Sequence, residues 1–146
     1  MAAIYLIRHG QASFDKADYD HLSKTGFKQA EILGKYWHTL PHPPPDKIYR
    51  GDMLRHQQTM DNFMSAYAGN MPPACPIIHS GFNEFDHVEV LKRHHQNWSS
   101  LSTLAEFENL FVTAFRRWQS GEHDSDYTES WPQFKQRCVT ALQQLI

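Results

Sequence analysis

"AIYLIRHGQASF", residues 3–14, sets four apolar residues, Ile4 to Ile7, directly before Arg8, His9 and Gly10. An unbroken apolar run of this length reads as a fully buried strand, the kind that parallel sheets contain. In such sheets ligands bind in the crevice beyond the carboxyl ends of the strands. A cation, an imidazole and a glycine at that place suit an anion.

The chain downstream repeats the pattern of strand, loop and helix. "QASFDKADYDHLSKTG" is polar and turn-rich, a long loop on the carboxyl side of the sheet. "LSKTGFKQAEILGKYWHTL" has Phe27, Ala30, Leu33, Tyr36 and Trp37 at the spacing of one buried helical face, with Ser23 as its N-cap. "PHPPP", residues 41–45, ends that helix as a stiff connector. "KIYRGD" reads as a second short strand, and "MLRHQQTMDNFMSAYAG" as a helix with Met60, Phe63, Met64 and Tyr67 on one side and Gly69 as its stop. "PIIH" is a third strand and "SGFNEFD" the loop beyond it. "VEVLKRHHQNW" and "LAEFENLFVTAFRRW" are two more helices, and "GEHDSDYTES" is a surface loop. The last helix, "SWPQFKQRCVTALQQLI", turns Trp131, Phe134, Cys138, Ala141, Leu142 and Leu145 inward. This alternation predicts an α/β fold, a mostly parallel sheet with helices on its faces.

Length and composition narrow the class. A chain of 146 residues is one ordinary domain, and 40% apolar with 21% charged residues is the balance of a globular protein. A net charge of −2 gives no reason to expect a nucleic-acid partner or an anionic membrane surface. The longest apolar stretch, Met1 to Ile7, is too short to span a bilayer and lacks the basic start and cleavage site of a secretory signal. Cys75 and Cys138 lie far apart and read as two free thiols in a reducing, cytoplasmic setting.

Three predicted strands end in loops that carry chemistry: Arg8-His9-Gly10-Gln11 after the first, Arg55 in "GDMLRHQQT" after the second, and Glu84 in "GFNEFDH" after the third. As parallel neighbours, they bring two arginines, an imidazole and a carboxylate to one crevice. That set suits phosphoryl transfer. A neutral imidazole is a good nucleophile towards phosphorus, and guanidiniums bind phosphate bidentately and neutralise its charge. Gly10 lets backbone approach the ligand, and a carboxylic acid can protonate the leaving oxygen. Taken singly, each residue reads more simply as a surface or loop charge; their order and positions give the combination its weight.

"LIRHGQ", "LSKTGFKQAEILG" and "MLRHQQT", in that order, resemble the phosphoglycerate-mutase-like branch of the histidine phosphatase superfamily. The resemblance is close over residues 4–60, moderate over 80–91 and general for the last helix. It implies a three-layer sandwich, with a mostly parallel sheet between helices, and one histidine phosphatase domain over residues 1–146. It implies His9 as the nucleophile that becomes phosphohistidine, Arg8 and Arg55 as the phosphoryl clamp, and Glu84 as the general acid, with Asp86 and Glu89 as its rivals. Gln11 is a further polar contact to the ligand, beside Gly10.

The chain also departs from the family pattern. Gly51 stands where a serine is common, and Met60 where an alanine is usual. The family's second catalytic histidine follows a strand after the last helix, whereas the sequence ends at Ile146. The expectation is a domain cut short at its C-terminus, lacking the last strand and poorly active by itself. A homodimer in which a second copy fills the gap by exchange is the alternative.

Ten histidines against 14 lysines and arginines is a high proportion. His79, His87, His94 and His95 cluster near the acid loop without a metal-ligand spacing, so no metal and no cofactor is expected. Arg93, His94 and His95 read either as a substrate-choosing group over the pocket or as an exposed polar face. The predicted activity is therefore a phosphomonoesterase acting on a small phosphorylated molecule or a phosphoprotein. A phosphoglycerate-type mutase is less favoured, because "QASFDKADYDHL" lacks the Trp-Asn segment of those enzymes. A phosphate-binding module without turnover is the non-enzymatic alternative.

Overall fold

Ser23 opens the first helix as the sequence predicts. Its hydroxyl accepts the Gly26 N–H at 3.1 Å, and α1 runs over Lys24–His38. The computed structural model describes residues 3–13, 20–41, 44–67, 75–98 and 103–146. Gly69, the predicted helix stop, and most of the loop after Ser13 lie outside the described residues. The chain divides into two units, Met1–Asn83 and Glu84–Ile146.

In the first unit, β1 (Tyr49–Arg50), α2 (Leu54–Tyr67) and β2 (Ile77–Ile78) follow in order, and the two strands pair in parallel. Tyr49 stands opposite Ile77 and Arg50 opposite Ile78, with further bonds from the Ile77 N–H to the Ile48 carbonyl and from the His79 N–H to the Arg50 carbonyl, both 2.9 Å. A helix between two parallel strands is the connection expected of an α/β chain. The buried residues of α2 are Arg55, Thr59, Phe63 and Tyr67, spaced four apart in one stripe. α1 buries Gly26, Ala30 and Gly34, and between the helices the Trp37 ring meets Phe63 edge-on at 5.7 Å. Tyr36, expected on the buried face, is exposed. The stripe through Ala30, Leu33, Gly34 and Trp37 leaves it on the flank, because each residue turns the helix by about 100°.

The first predicted strand is the main correction. Residues 4–7 lie outside any strand, and all four side chains are exposed, Leu6 at 79%. Apolar composition specifies that a segment wants burial, but a strand exists only as one side of a ladder. Among the described residues no backbone pairs with this run. It rests instead on a side-chain contact, the Tyr5 ring edge-on to Trp37 at 4.8 Å.

The second unit is helical: α3 (His87–His94), α4 (Leu104–Gln119) and α5 (Trp131–Gln143). Val90 and Leu91 of α3, Ala114 and Trp118 of α4, and Tyr127 form its buried core, with Phe85, Phe115, Trp131 and Phe134 packed around them. Trp118 is 1% exposed, sits 4.8 Å from the Phe85 ring and 5.3 Å from Trp131, and donates its indole N–H to the Glu129 carbonyl at 3.0 Å. Reciprocal caps start two of the helices, Thr103 with Glu106 on α4 and Ser130 with Gln133 on α5. The inward stripe predicted for α5 is only partly inward: Ala141 is buried, Cys138 is half-buried and Leu142 is exposed. The predicted stripe had assumed a sheet beneath the helix; among the described residues the aromatic cluster covers its first turns and leaves Leu142 outside. No helix among the described residues is long and apolar enough to cross a membrane.

Trp118→Ala removes the largest fully buried side chain together with its hydrogen bond. The expected loss is about 3–5 kcal/mol of unfolding free energy, read from denaturant melts of the two proteins. A loss under about 1 kcal/mol would show that this cluster does not hold the second unit together.

Candidate active site

His9 has a defined ring state. Its Nδ1 lies 2.6 Å from the Gly10 carbonyl oxygen, which can only accept. Nδ1 therefore carries the proton in the neutral ring, and Nε2 carries the lone pair.

Close backbone packing fixes the segment behind that ring. Gly10 and Gly26 touch backbone to backbone: a Cβ on Gly10 would collide with the Gly26 carbonyl, and one on Gly26 with the Gln11 carbonyl. Only residues without a side chain allow this approach. Three bonds lock it from the α1 side. The Ser23 N–H donates to the Gln11 carbonyl at 2.9 Å, the Ser23 hydroxyl to the Gln11 side-chain oxygen at 3.1 Å, and the Gln11 N–H to the Gln29 side chain at 2.8 Å. From the α2 side, the Gly10 N–H donates to the Thr59 hydroxyl at 3.0 Å, and that hydroxyl donates to the Arg55 carbonyl at 2.7 Å. Gly10 and Gln11, read from sequence as ligand contacts, also join the segment to α1 and α2.

Arg55 is 2% exposed, and its guanidinium donates to Asp20 at 2.9 Å. The other oxygen of Asp20 accepts the Leu54 N–H at 2.8 Å, so one carboxylate both caps α2 and holds the arginine. Arg8 is exposed and makes no hydrogen bond or ion pair with a described residue. His56, next to Arg55, faces His9 with ring centres 5.7 Å apart, and its Nδ1 and the Asn83 side-chain oxygen both border Gly51. Asn83 is held in turn by Asp52, which receives its amide at 2.5 Å and donates a backbone N–H to it at 3.0 Å.

The carboxylates of the acid loop belong to the second unit. Glu84 is half-buried in the extended segment before α3. Asp86 caps α3 by accepting the Glu89 N–H at 2.9 Å. Glu89 accepts the Thr128 N–H and hydroxyl and pairs with Arg93. Both rivals to Glu84 thus hold local structure. His94 and His95 are exposed; slight burial, with the charges of Arg117 and His95, holds the His94 pKa below its ordinary value. Among the described residues no group of three or more His, Cys, Asp or Glu is arranged to hold a metal ion.

The His9 segment and the helix of the buried Arg55 are thus joined by one chain of hydrogen bonds, from the Gly10 N–H through Thr59 to the Arg55 carbonyl. The family model of the histidine phosphatase superfamily (branch 1) matches residues 4–146, and the chain belongs to that family. Membership supports chemistry of the phosphatase and mutase type. No curated protein and no solved structure matches the chain.

Asp20, Thr59 and His56 are absent from the roles predicted from sequence. Asp20 caps a helix that starts 34 residues later, so no local pattern reveals it. His56 follows Arg55 by one residue, a spacing that on a helix points about 100° away from the buried stripe.

Asp20→Asn keeps the shape of the side chain and removes the charge opposite buried Arg55. It should lower unfolding free energy by about 2–3 kcal/mol, measured by chemical denaturation, since a hydrogen bond to a charged group is worth about that much. An unchanged midpoint would mean that the pair does not hold Arg55.

Proposed function

We propose that the chain is a phosphohydrolase that takes a phosphoryl group from a small phosphomonoester or a phosphoprotein onto His9 and passes it to water. The observation that carries this reading is the His9 Nδ1–H bond to the Gly10 carbonyl, which leaves the lone pair of the neutral ring on Nε2. In the first step Nε2 attacks phosphorus, the N–P bond forms, and the bond to the leaving oxygen breaks. That oxygen keeps the electron pair and takes a proton from Glu84. In the second step water attacks phosphorus, its proton returns to Glu84, and the N–P electron pair goes back to His9. The net reaction is a phosphate ester plus water giving an alcohol and inorganic phosphate.

Arg55, buried and already oriented by Asp20, serves as one donor to the phosphoryl oxygens, and the exposed Arg8 is its counterpart. Glu84 is assigned as the acid from its place in the loop after β2, where the family resemblance puts that residue. Gly10 and Gln11 support the site by holding the segment in place.

Incubation with phosphoramidate, quenching in base and mapping of the acid-labile phosphate tests the nucleophile. Label is expected on His9 and is expected to vanish in His9→Ala while the fold is kept. Label that persists in His9→Ala overturns the assignment.

The acid is tested through the leaving group, since only a poor one needs a proton in the transition state. Glu84→Gln should slow transfer from an alkyl phosphate about a hundredfold, and from a nitrophenyl phosphate far less. Equal losses on both substrates would assign Glu84 to structure or binding instead.

A further inference from the structure

We propose that His56 is a second imidazole of the site and donates its ring N–H to a phosphoryl oxygen of the group carried by His9. The inference rests on the phosphoryl-transfer reading above. Nothing in the sequence patterns assigns His56 a role, and three features of the structure do.

The first is distance. The rings of His9 and His56 are 5.7 Å apart between centres and tilted by 36°. A phosphoryl group attached to one ring, with an oxygen hydrogen-bonded to the other at about 2.8 Å, fits that separation. The second is attachment. His56 lies in the first turn of α2, directly after Arg55, and the hydroxyl of Thr59 ties that turn to Gly10. The two rings are thus held by one hydrogen-bonded frame, and the fixed geometry is what makes a donor effective in the transition state.

The third feature is Gly51. A side chain there would run into His56 Nδ1, His56 Cε1 and the Asn83 side-chain oxygen. The space that a side chain at position 51 would take is filled by the His56 ring and the Asn83 side chain, so the ring is packed in place from that side. The charged and titratable groups around the ring are His9 on the facing segment, Arg55 on the same helix with its partner Asp20, and Asp52 through Asn83. The α2 N-terminus favours the neutral ring, which still offers one N–H, and a bound phosphate favours the protonated one.

Titration of the full chain with inorganic phosphate, read from the histidine Cε1–H NMR signals, tests this directly; the His9→Gln and His56→Gln variants assign the two peaks. Both signals are expected to move together to saturation. A His9 signal that moves while His56 stays fixed overturns the inference and leaves the proposed function standing. Two fixed signals overturn both.

Labelling of His9 by phosphoramidate gives a second readout. His56→Ala should slow it about a hundredfold, and His56→Gln, which keeps an N–H donor, should recover part of that loss. His56→Leu refills the space without a donor. Recovery of the rate in His56→Leu, or an undiminished rate in His56→Ala, would show that the ring serves packing alone.

Discussion

The Thr59 hydroxyl is the interaction on which the first unit depends. It takes the N–H of Gly10 and gives its own proton to the Arg55 carbonyl, both within ordinary hydrogen-bond range. Residues 4–7 have no ladder to hold them among the described residues, so this bond and the Gly10–Gly26 contact fix where His9 stands. One hydroxyl on α2 thereby sets the His9 segment against the helix that carries Arg55 and His56. A valine at 59 would keep the shape and leave the Gly10 N–H buried without its acceptor, the costlier half of a lost hydrogen bond.

Electrostatics add a second constraint. A guanidinium that is 2% exposed persists only when a charge or strong acceptors answer it. Asp20 does so while capping α2, which couples the start of the helix to the orientation of Arg55. On the proposed function, a phosphate at His9 would meet an arginine already paired with Asp20. Arg8 is exposed, and its ordering would accompany binding.

Helices were readable because their signals are local. Ser23 caps α1 at the expected place, and of the face read for α2 Phe63 and Tyr67 are buried, while Met60 and Met64 are half-buried and Arg55 and Thr59 complete the stripe. β1 and β2 were readable as short strands between turns. Residues 4–7 were not, since four apolar side chains state a need for burial and say nothing about which backbone pairs with them. The same limit applies to Leu142, whose inward role presupposed a sheet. At the site, His9 and Arg55 stood out through motif order, and Arg55 proved buried. Asp20, Thr59 and His56 act through contacts between distant segments, and Gly26 through a close approach that needs the fold to be seen.

The central claim is that one frame presents His9 Nε2 and the Arg55 guanidinium to the same phosphoryl group. A crystal structure of the chain with orthovanadate tests it most directly. The account predicts vanadium bonded to His9 Nε2, with Arg55 donating to the vanadate oxygens and Asp20 still at the head of α2. Vanadate bound elsewhere, or at His9 with Arg55 turned wholly to Asp20, would contradict it.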